Sequence, residues 1–99
     1  MQPVSAIALS GMTAATARLG ASAHNIANLA TPGFRRELAS QASQPSGGVS
    51  TRLDPAPAPG SAMEDDMVGM LAARNAFLAN LAVFRTSDAM AGALLKTVA

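Results

Sequence analysis

The chain has no cysteine, tryptophan or tyrosine, and only 3% of its 99 residues are aromatic. The absence of cysteine excludes disulfide bonds and thiolate metal sites. Hydrophobic residues make up 49% of the chain, but 23 of them are alanine, so few large side chains remain to build a core. A chain this short buries a low fraction of its surface, and we expect marginal stability in isolation. Alanine favours helix and lets helices approach closely, so the composition indicates an α-helical protein with surface for other helices.

Charged and catalytic residues are also scarce. The net charge is +1, and no dense basic patch is interleaved with aromatics, so we expect no nucleic-acid binding. His24 is the only histidine, and no nucleophile motif accompanies it, so we expect no enzymatic activity. The acidic run Glu64, Asp65 and Asp66 suits the positive end of a helix dipole. Its three carboxylates point in different directions, so we expect no metal and no cofactor.

The N-terminal stretch resembles a signal peptide only superficially. It lacks a positively charged start, and Arg18 interrupts its apolar run. No stretch approaches the ~18 uninterrupted apolar residues of a membrane span. We therefore expect no cleaved signal peptide and no direct membrane insertion.

Three segments follow one another along the chain. Residues 1–34 contain an N-terminal helix, over about Val4 to Asn28, with a 3-4 spacing of apolar and small residues. In residues 35–60, Pro, Gly, Ser and Gln dominate; Leu38, Val49 and Leu53 could pair as a short hairpin within an assembly, but the composition favours a flexible linker. Residues 61–99 contain a long amphipathic helix. The sequence thus predicts an all-α fold, an antiparallel two-helix, coiled-coil-like hairpin joined by an irregular linker rich in Pro, Gly and Ser.

The C-terminal helix is the best-defined element. Ser61 and Glu64 form a capping box, which predicts a helix from Ala62 to about Val98. An apolar 3-4 seam runs along its whole length. At 1.5 Å per residue this helix is roughly 55 Å long and the first roughly 38 Å. The shorter helix cannot cover the longer one, so we expect a hairpin that is incomplete as a monomer, with apolar surface left for association.

Two charged residues, Arg74 and Asp88, fall on that apolar seam. One explanation is that the seam is wide and both side chains reach water from its edge. The other is that they determine the register or the choice of partner, as polar seam positions do in coiled coils. The sequence leaves both explanations open.

The stretch HNIANLATPGF, from His24 to Phe34, predicts a helix terminus followed by a tight turn. Proline disfavours helix at the residue before it, and Pro32-Gly33 suits the two central positions of a type II turn, which requires a positive φ at the glycine. Asn25 and Asn28 lie on one helix face, where an amide can satisfy the last carbonyls of the helix or bond to a neighbouring element.

These residues resemble the N-terminal signature of the bacterial flagellar axial proteins, the rod, hook and hook-associated subunits. The signature is Asn-Ile-Ala-Asn followed by Thr-Pro-Gly and an aromatic residue, and the C-terminal helix is similar to that family's C-terminal helix. Together the two matches span residues 5–37 and 63–98. The middle region is shorter than in ordinary members, and Phe34 and Phe77 stand where the family usually has tyrosine.

The resemblance implies a structural subunit of the flagellar basal-body rod, closest to the short proximal rod type. Such a subunit packs through its terminal helices against itself and other rod subunits, and leaves the cell through the flagellar type III export apparatus. The alternative is a secreted or membrane-active amphipathic helical hairpin. On the first hypothesis the residues expected to mediate assembly are Asn25, Ile26, Asn28, Thr31, Pro32, Gly33, Phe34, Met67, Met70, Arg74, Phe77, Asn80, Phe84, Leu94 and Leu95.

Overall fold

The computed structural model, which describes residues 3–98, contains two long helices and a two-stranded antiparallel sheet. Residues 1, 2 and 99, which the predicted segments include, lie outside the described residues. In chain order the elements are α1 (Val4–Ala27), β1 (Glu37–Ser43), β2 (Val49–Pro55) and α2 (Met63–Val98). Both predicted helices are confirmed, but the all-α fold is wrong, because the segment between them forms a β-hairpin and the arrangement is α+β.

The hairpin forms because its glycines turn the chain and its second strand alternates. Gly47 and Gly48 have φ values of 99° and 91°, a region that glycine enters without steric cost. Across the loop, the Gln44 N–H donates to the Gly48 carbonyl at 2.9 Å. Beyond it, the β-branched or apolar residues Val49, Thr51 and Leu53 alternate with Ser50 and Arg52. The segment looked like a linker because its Pro, Gly and Ser content masked this period-2 pattern, which is the signal for a strand.

The hairpin lies against α1, so that α1 is the middle layer between the sheet and α2. The register pairs Ala39 with Leu53 and Gln41 with Thr51. Because side chains alternate between the faces of a sheet, the same face carries Val49, Thr51 and Leu53, and these three line a groove against α1. The Val49 N–H donates to Ser10 Oγ of α1 at 3.1 Å, which anchors the strand to the helix.

The two helices pack antiparallel through small side chains. A Cβ added to Gly11 of α1 would lie 2.6 Å from Asn80 Oδ1 of α2, and one added to Gly69 would lie 3.0 Å from Ser22 Oγ. The buried hydrophobic residues are likewise nearly all alanines, namely Ala8, Met12, Ala14, Ala15, Ala21 and Ala73. Glycine and alanine let the backbones approach closely, but they bury little apolar area, and each Å² contributes only about 25 cal/mol.

The large apolar residues of α2 therefore lie mostly outside this contact. Met67 and Leu71 are exposed, and so are Met90, Leu94 and Leu95 in the last part of the helix, which extends past the start of α1. The described chain measures 62 × 24 × 14 Å, an elongated shape set by the 36 residues of α2. The prediction that the shorter helix leaves apolar side chains of the longer one uncovered is confirmed.

Candidate functional site

The most highly organised polar region lies at the end of the molecule where α1 stops, the hairpin begins and α2 starts. Asn25, near the end of α1, is buried, with 3% of its surface exposed. Its Nδ2 donates to the Glu37 carbonyl at 3.0 Å and to Asp66 Oδ1 at 3.2 Å. Its Oδ1 accepts from the Glu37 N–H at 2.7 Å. One amide thus joins all three segments, and we call the set Asn25, Arg36, Glu37 and Asp66 the polar corner.

The polar corner also contains an ion pair. Arg36, just before β1, donates from Nε to Asp66 Oδ2 at 3.2 Å, while its Nη2 donates to Oδ1 of the same carboxylate. Asp66 itself is only 2% exposed. Burial raises the pKa of this carboxyl, but the hydrogen bonds from Arg36 and Asn25 and the Arg36 charge outweigh that effect. The pKa of Asp66 therefore lies below its usual value, and the hydrogen bond to Asp66 raises that of Arg36.

Asn28 terminates the helix on its exposed side. Its Nδ2 donates to the His24 carbonyl at 2.9 Å, and its Oδ1 accepts from Thr31 Oγ1 at 3.1 Å. Both uses expected for the two amides therefore occur, one in each residue. Asn28 satisfies a terminal carbonyl of its own helix, whereas Asn25 bonds to neighbouring elements.

The predicted turn follows directly. The Phe34 N–H donates to the Thr31 carbonyl at 3.3 Å, and Gly33 has φ 72°, as position i+2 of a type II turn requires. The Phe34 ring packs edge-on against His24, with 5.3 Å between ring centroids. The Phe34 carbonyl accepts from the Gly60 N–H at 3.2 Å, so the same residue also holds the chain that leads into α2.

The predicted assembly residues fall in two separate regions. The N-terminal group, Asn25 to Phe34, surrounds the polar corner, with Ile26 half-buried on the last turn of α1. The C-terminal group is spread along α2. Its half-buried members are Met70, Phe77, Asn80 and Phe84, and its exposed members are Met67, Arg74, Leu94 and Leu95. The structure does not bring the two groups into one site.

Three members of the polar corner, Arg36, Glu37 and Asp66, were not predicted. Asp66 was assigned to the helix dipole together with Glu64 and Asp65, which explains its position in the first turn but not its burial. Its partners are separated from it by 30 and 41 residues in sequence, so no local pattern indicates the contact. The helix also begins at Met63, one residue later than the Ser61 cap predicts, and the Ala62 carbonyl accepts the Asp66 N–H at 2.9 Å.

The polar corner holds segments of the chain together and does not have the features of a reaction centre. All four of its members are used in hydrogen bonds to one another, and the carboxylate is neutralised by its guanidinium partner. Within residues 3–98, no group of three or more His, Cys, Asp or Glu side chains could hold a metal ion. The arrangement locks the relative positions of α1, the hairpin and α2.

At the opposite end of the helix pair the surface is apolar. Val4, Val83, Met90 and Leu94 line a groove of about 520 Å³ between the start of α1 and the last part of α2. Among the described residues, one helix is long and apolar enough to cross a membrane; it covers Met63–Thr97, with a mean hydropathy of 1.5 over a window of which 6% is buried. Length and composition alone give this result, and a single such helix is weak support for a membrane span.

Comparison with known proteins adds no assignment. No protein-family model matches the chain, and no curated protein matches it significantly.

Proposed function

We propose that the chain is a structural subunit of the bacterial flagellar basal-body rod, needed for flagellum-dependent motility. The observation that carries the proposal is the stretch Asn25 to Phe34, whose sequence resembles the axial-protein signature. Each of its polar residues has a defined structural task at a helix terminus. A signature that maintains a corner suits a protein whose function is to present helices at a set angle.

The uncovered apolar surface supports the same proposal. A buried core made largely of alanine stabilises the monomer weakly, while several large apolar side chains of α2 face solvent. Exposed apolar surface of this kind marks an association site in soluble proteins. In a rod, helices of neighbouring subunits and of other copies would cover it.

On this proposal the chain reaches the rod through the flagellar type III export apparatus and resides in the basal body. Its partners are the export apparatus, other rod subunits and itself. It acts as neither an enzyme nor a nucleic-acid binder, and it assembles by helix packing without inserting into a membrane.

Deletion and complementation in a bacterium that encodes the chain would test this function. Deletion is expected to abolish swimming and rod formation, and the wild-type gene is expected to restore both. Asn25→Ala is expected to restore them poorly, since it removes the amide that joins three segments. Asn75→Ala, the same change at an exposed position of α2, serves as the matched control. Normal motility in the deletion strain would contradict the proposal.

Purified chain provides a second test. Mixing it with rod subunits is expected to increase its helicity by circular dichroism and to produce heavier species in sedimentation. Chain that is indifferent to both its own concentration and rod proteins would count against an assembly function.

A membrane-active helical hairpin is the second candidate, and the apolar α2 is the observation that favours it. The polar face of the helix is not rich in Lys or Arg, as that of interfacial helices tends to be. Liposome flotation separates the two functions: chain that floats with lipid would support membrane activity, and chain that stays in the dense fraction would support the rod.

A further inference from the structure

A second apolar stripe runs along α2 beside the face that packs against α1. Its positions alternate in steps of four and three over four heptads, the spacing of a coiled-coil seam. Its apolar members are exposed, from 46% at Leu78 to 72% at Leu95, except for Leu81, which is half-buried. The full set is Met67, Leu71, Arg74, Leu78, Leu81, Arg85, Asp88, Gly92 and Leu95.

Most of this stripe is available without any rearrangement of the fold, since seven of its nine positions are exposed. The face of α2 that meets α1 carries Gly69, Ala73 and Asn80, none of which belongs to the stripe. A seven-residue repeat also drifts around a straight helix by roughly 20° per heptad. The drift carries the stripe from the outer side near Met67 toward the uncovered end near Leu95, where α1 no longer contacts α2.

The charges on the stripe indicate what covers it. Arg74 and Asp88 lie seven residues before and seven residues after Leu81. If a second copy of the helix lies antiparallel with its two-fold axis at Leu81, Arg74 faces Asp88 of the other copy, and the symmetry forms this pair twice. A parallel arrangement instead places Arg74 against Arg74 and Asp88 against Asp88, which is destabilising.

The outer positions of the stripe are compatible with the antiparallel register. Met67 then faces Leu95, and Leu71 faces Ala91, so a large residue meets a large or a small one at both places. Arg85 lies three residues before Asp88, on the same helix face, which adds a second cation beside that carboxylate. A lipid surface would cover the apolar members of the stripe but would supply no matching charge for its centre.

We propose that the second apolar stripe of α2 is the interface of an antiparallel homodimer, centred on Leu81 and specified by two Arg74–Asp88 ion pairs between copies. The contact runs from residue 67 to residue 95, about 42 Å of helix. The inference assigns a role to the two charged seam residues, and it does not depend on the rod function.

Charge exchange tests the interface. Arg74→Asp or Asp88→Arg alone places like charges together and is expected to weaken dimerisation by about tenfold or more in sedimentation equilibrium. The double variant restores the pair in the reverse sense and is expected to recover most of the affinity. Arg52→Asp, on the exposed outer face of the hairpin, is the matched control; it breaks only an exposed ion pair with Asp54 and is expected to leave dimerisation unchanged. Circular dichroism verifies that each variant folds, which is expected because residues 74 and 88 are exposed.

The orientation is tested by one spin label per chain. The chain has no cysteine, so Val68→Cys introduces a single attachment point at an exposed position. Antiparallel helices centred on Leu81 place the two labelled backbones about 40 Å apart, whereas parallel helices place them about 10 Å apart. Double electron–electron resonance distinguishes these distances.

Three results would overturn the inference: a wild-type chain that stays monomeric across the measurable concentration range, a double variant no tighter than the single ones, or a short label separation. Motility is a separate readout. A chain that dimerises in this way but is dispensable for swimming would support the interface and contradict the rod function. A monomeric chain that is required for swimming would contradict the interface and support the rod function.

Discussion

The two ends of the helix pair are built on different principles. At the polar corner, Asn25, Arg36 and Asp66 are joined by directional hydrogen bonds between residues that are distant in sequence. At the other end, around Val4 and Leu94, the surface is apolar and open. Hydrogen bonds and ion pairs specify geometry, whereas apolar area supplies non-directional attraction. The difference indicates that one end determines the shape of the monomer while the other leaves apolar side chains uncovered.

Among the changes at the two ends, removing the Asp66 carboxylate should lower the stability of the monomer most. Asp66→Asn keeps the shape but deprives Arg36 of its ion pair, and breaking such a pair is costly because a charge is left without its partner. Because Arg36 retains some access to water, we expect the free energy of unfolding to fall by about 2–3 kcal/mol in urea titrations. Glu64→Gln, a similar change at an exposed position of the same helix turn, should cost about 0.5 kcal/mol or less. Equal losses from the two changes would mean that the polar corner has no special role.

The pH dependence of the chain's stability should reveal the contribution of Asp66 independently. The pKa of Asp66 is lower in the folded chain than in the unfolded one, so its contribution is fully present above the unfolded value of about 3.9. That contribution is lost as the pH falls through the lower folded pKa. Thermal melts between pH 7 and pH 2 should therefore show a loss of stability confined to the acidic range. Asp66→Asn should remove that part of the loss, and an unchanged profile would assign acid sensitivity to other groups.

Tight helix packing should be visible at two glycines of α1. Gly11→Ala places a Cβ 2.6 Å from Asn80 Oδ1, whereas a Cβ at Gly20 meets nothing within 4 Å. Alanine is favoured over glycine in helices by up to about 1 kcal/mol, so Gly20→Ala should stabilise the chain by about that amount. Gly11→Ala should forfeit the gain or destabilise by about 1 kcal/mol, since overpacking is costly. Adding Asn80→Ala should recover the difference, and similar melting temperatures for both single variants would show that the helices separate more easily than the structure indicates.

The smallest effect on the monomer is expected at its open end. Leu94 and Leu95 are 67% and 72% exposed, so changing both to serine should alter the free energy of unfolding by about 0.5 kcal/mol or less. The same change should reduce association strongly, because it removes apolar area that a partner would bury. Chemical denaturation at low concentration, paired with sedimentation at high concentration, separates the two quantities. A large loss of monomer stability would show that these leucines already have partners within the chain.

Features determined by neighbouring residues could be predicted from the sequence, and features determined by distant residues could not. Helix periodicity and the Pro32-Gly33 step are local, and they correctly predicted both helices and the turn. The sequence allows a hairpin of Leu38, Val49 and Leu53 but favours a flexible linker, because glycine and proline content outweighs the short alternation that begins at Val49. The contact between Arg36 and Asp66 depends on three segments meeting in space, which no local pattern encodes.

The packing face of α2 shows a further limit. The heptad seam predicts an apolar face of α2 but not what covers it. Phe77 on this seam is half-buried and lines a groove with Met12 of α1, whereas Leu95 on the same seam is exposed. The closest approaches between the helices are at Gly11 and Gly69, because small side chains permit them. Periodicity identifies the faces of a helix, but it does not say which face packs within the chain and which is used between chains.

The polar corner also imposes an order on events. The Asn25 amide cannot form its hydrogen bond to Asp66 until that residue, 41 positions later in the chain, is available. When the chain emerges with its N-terminus first, from a ribosome or through a narrow channel, α1 therefore lacks this hydrogen bond until the start of α2 has emerged. During that interval the end of α1 lacks one of the hydrogen bonds that join it to α2 in the folded chain.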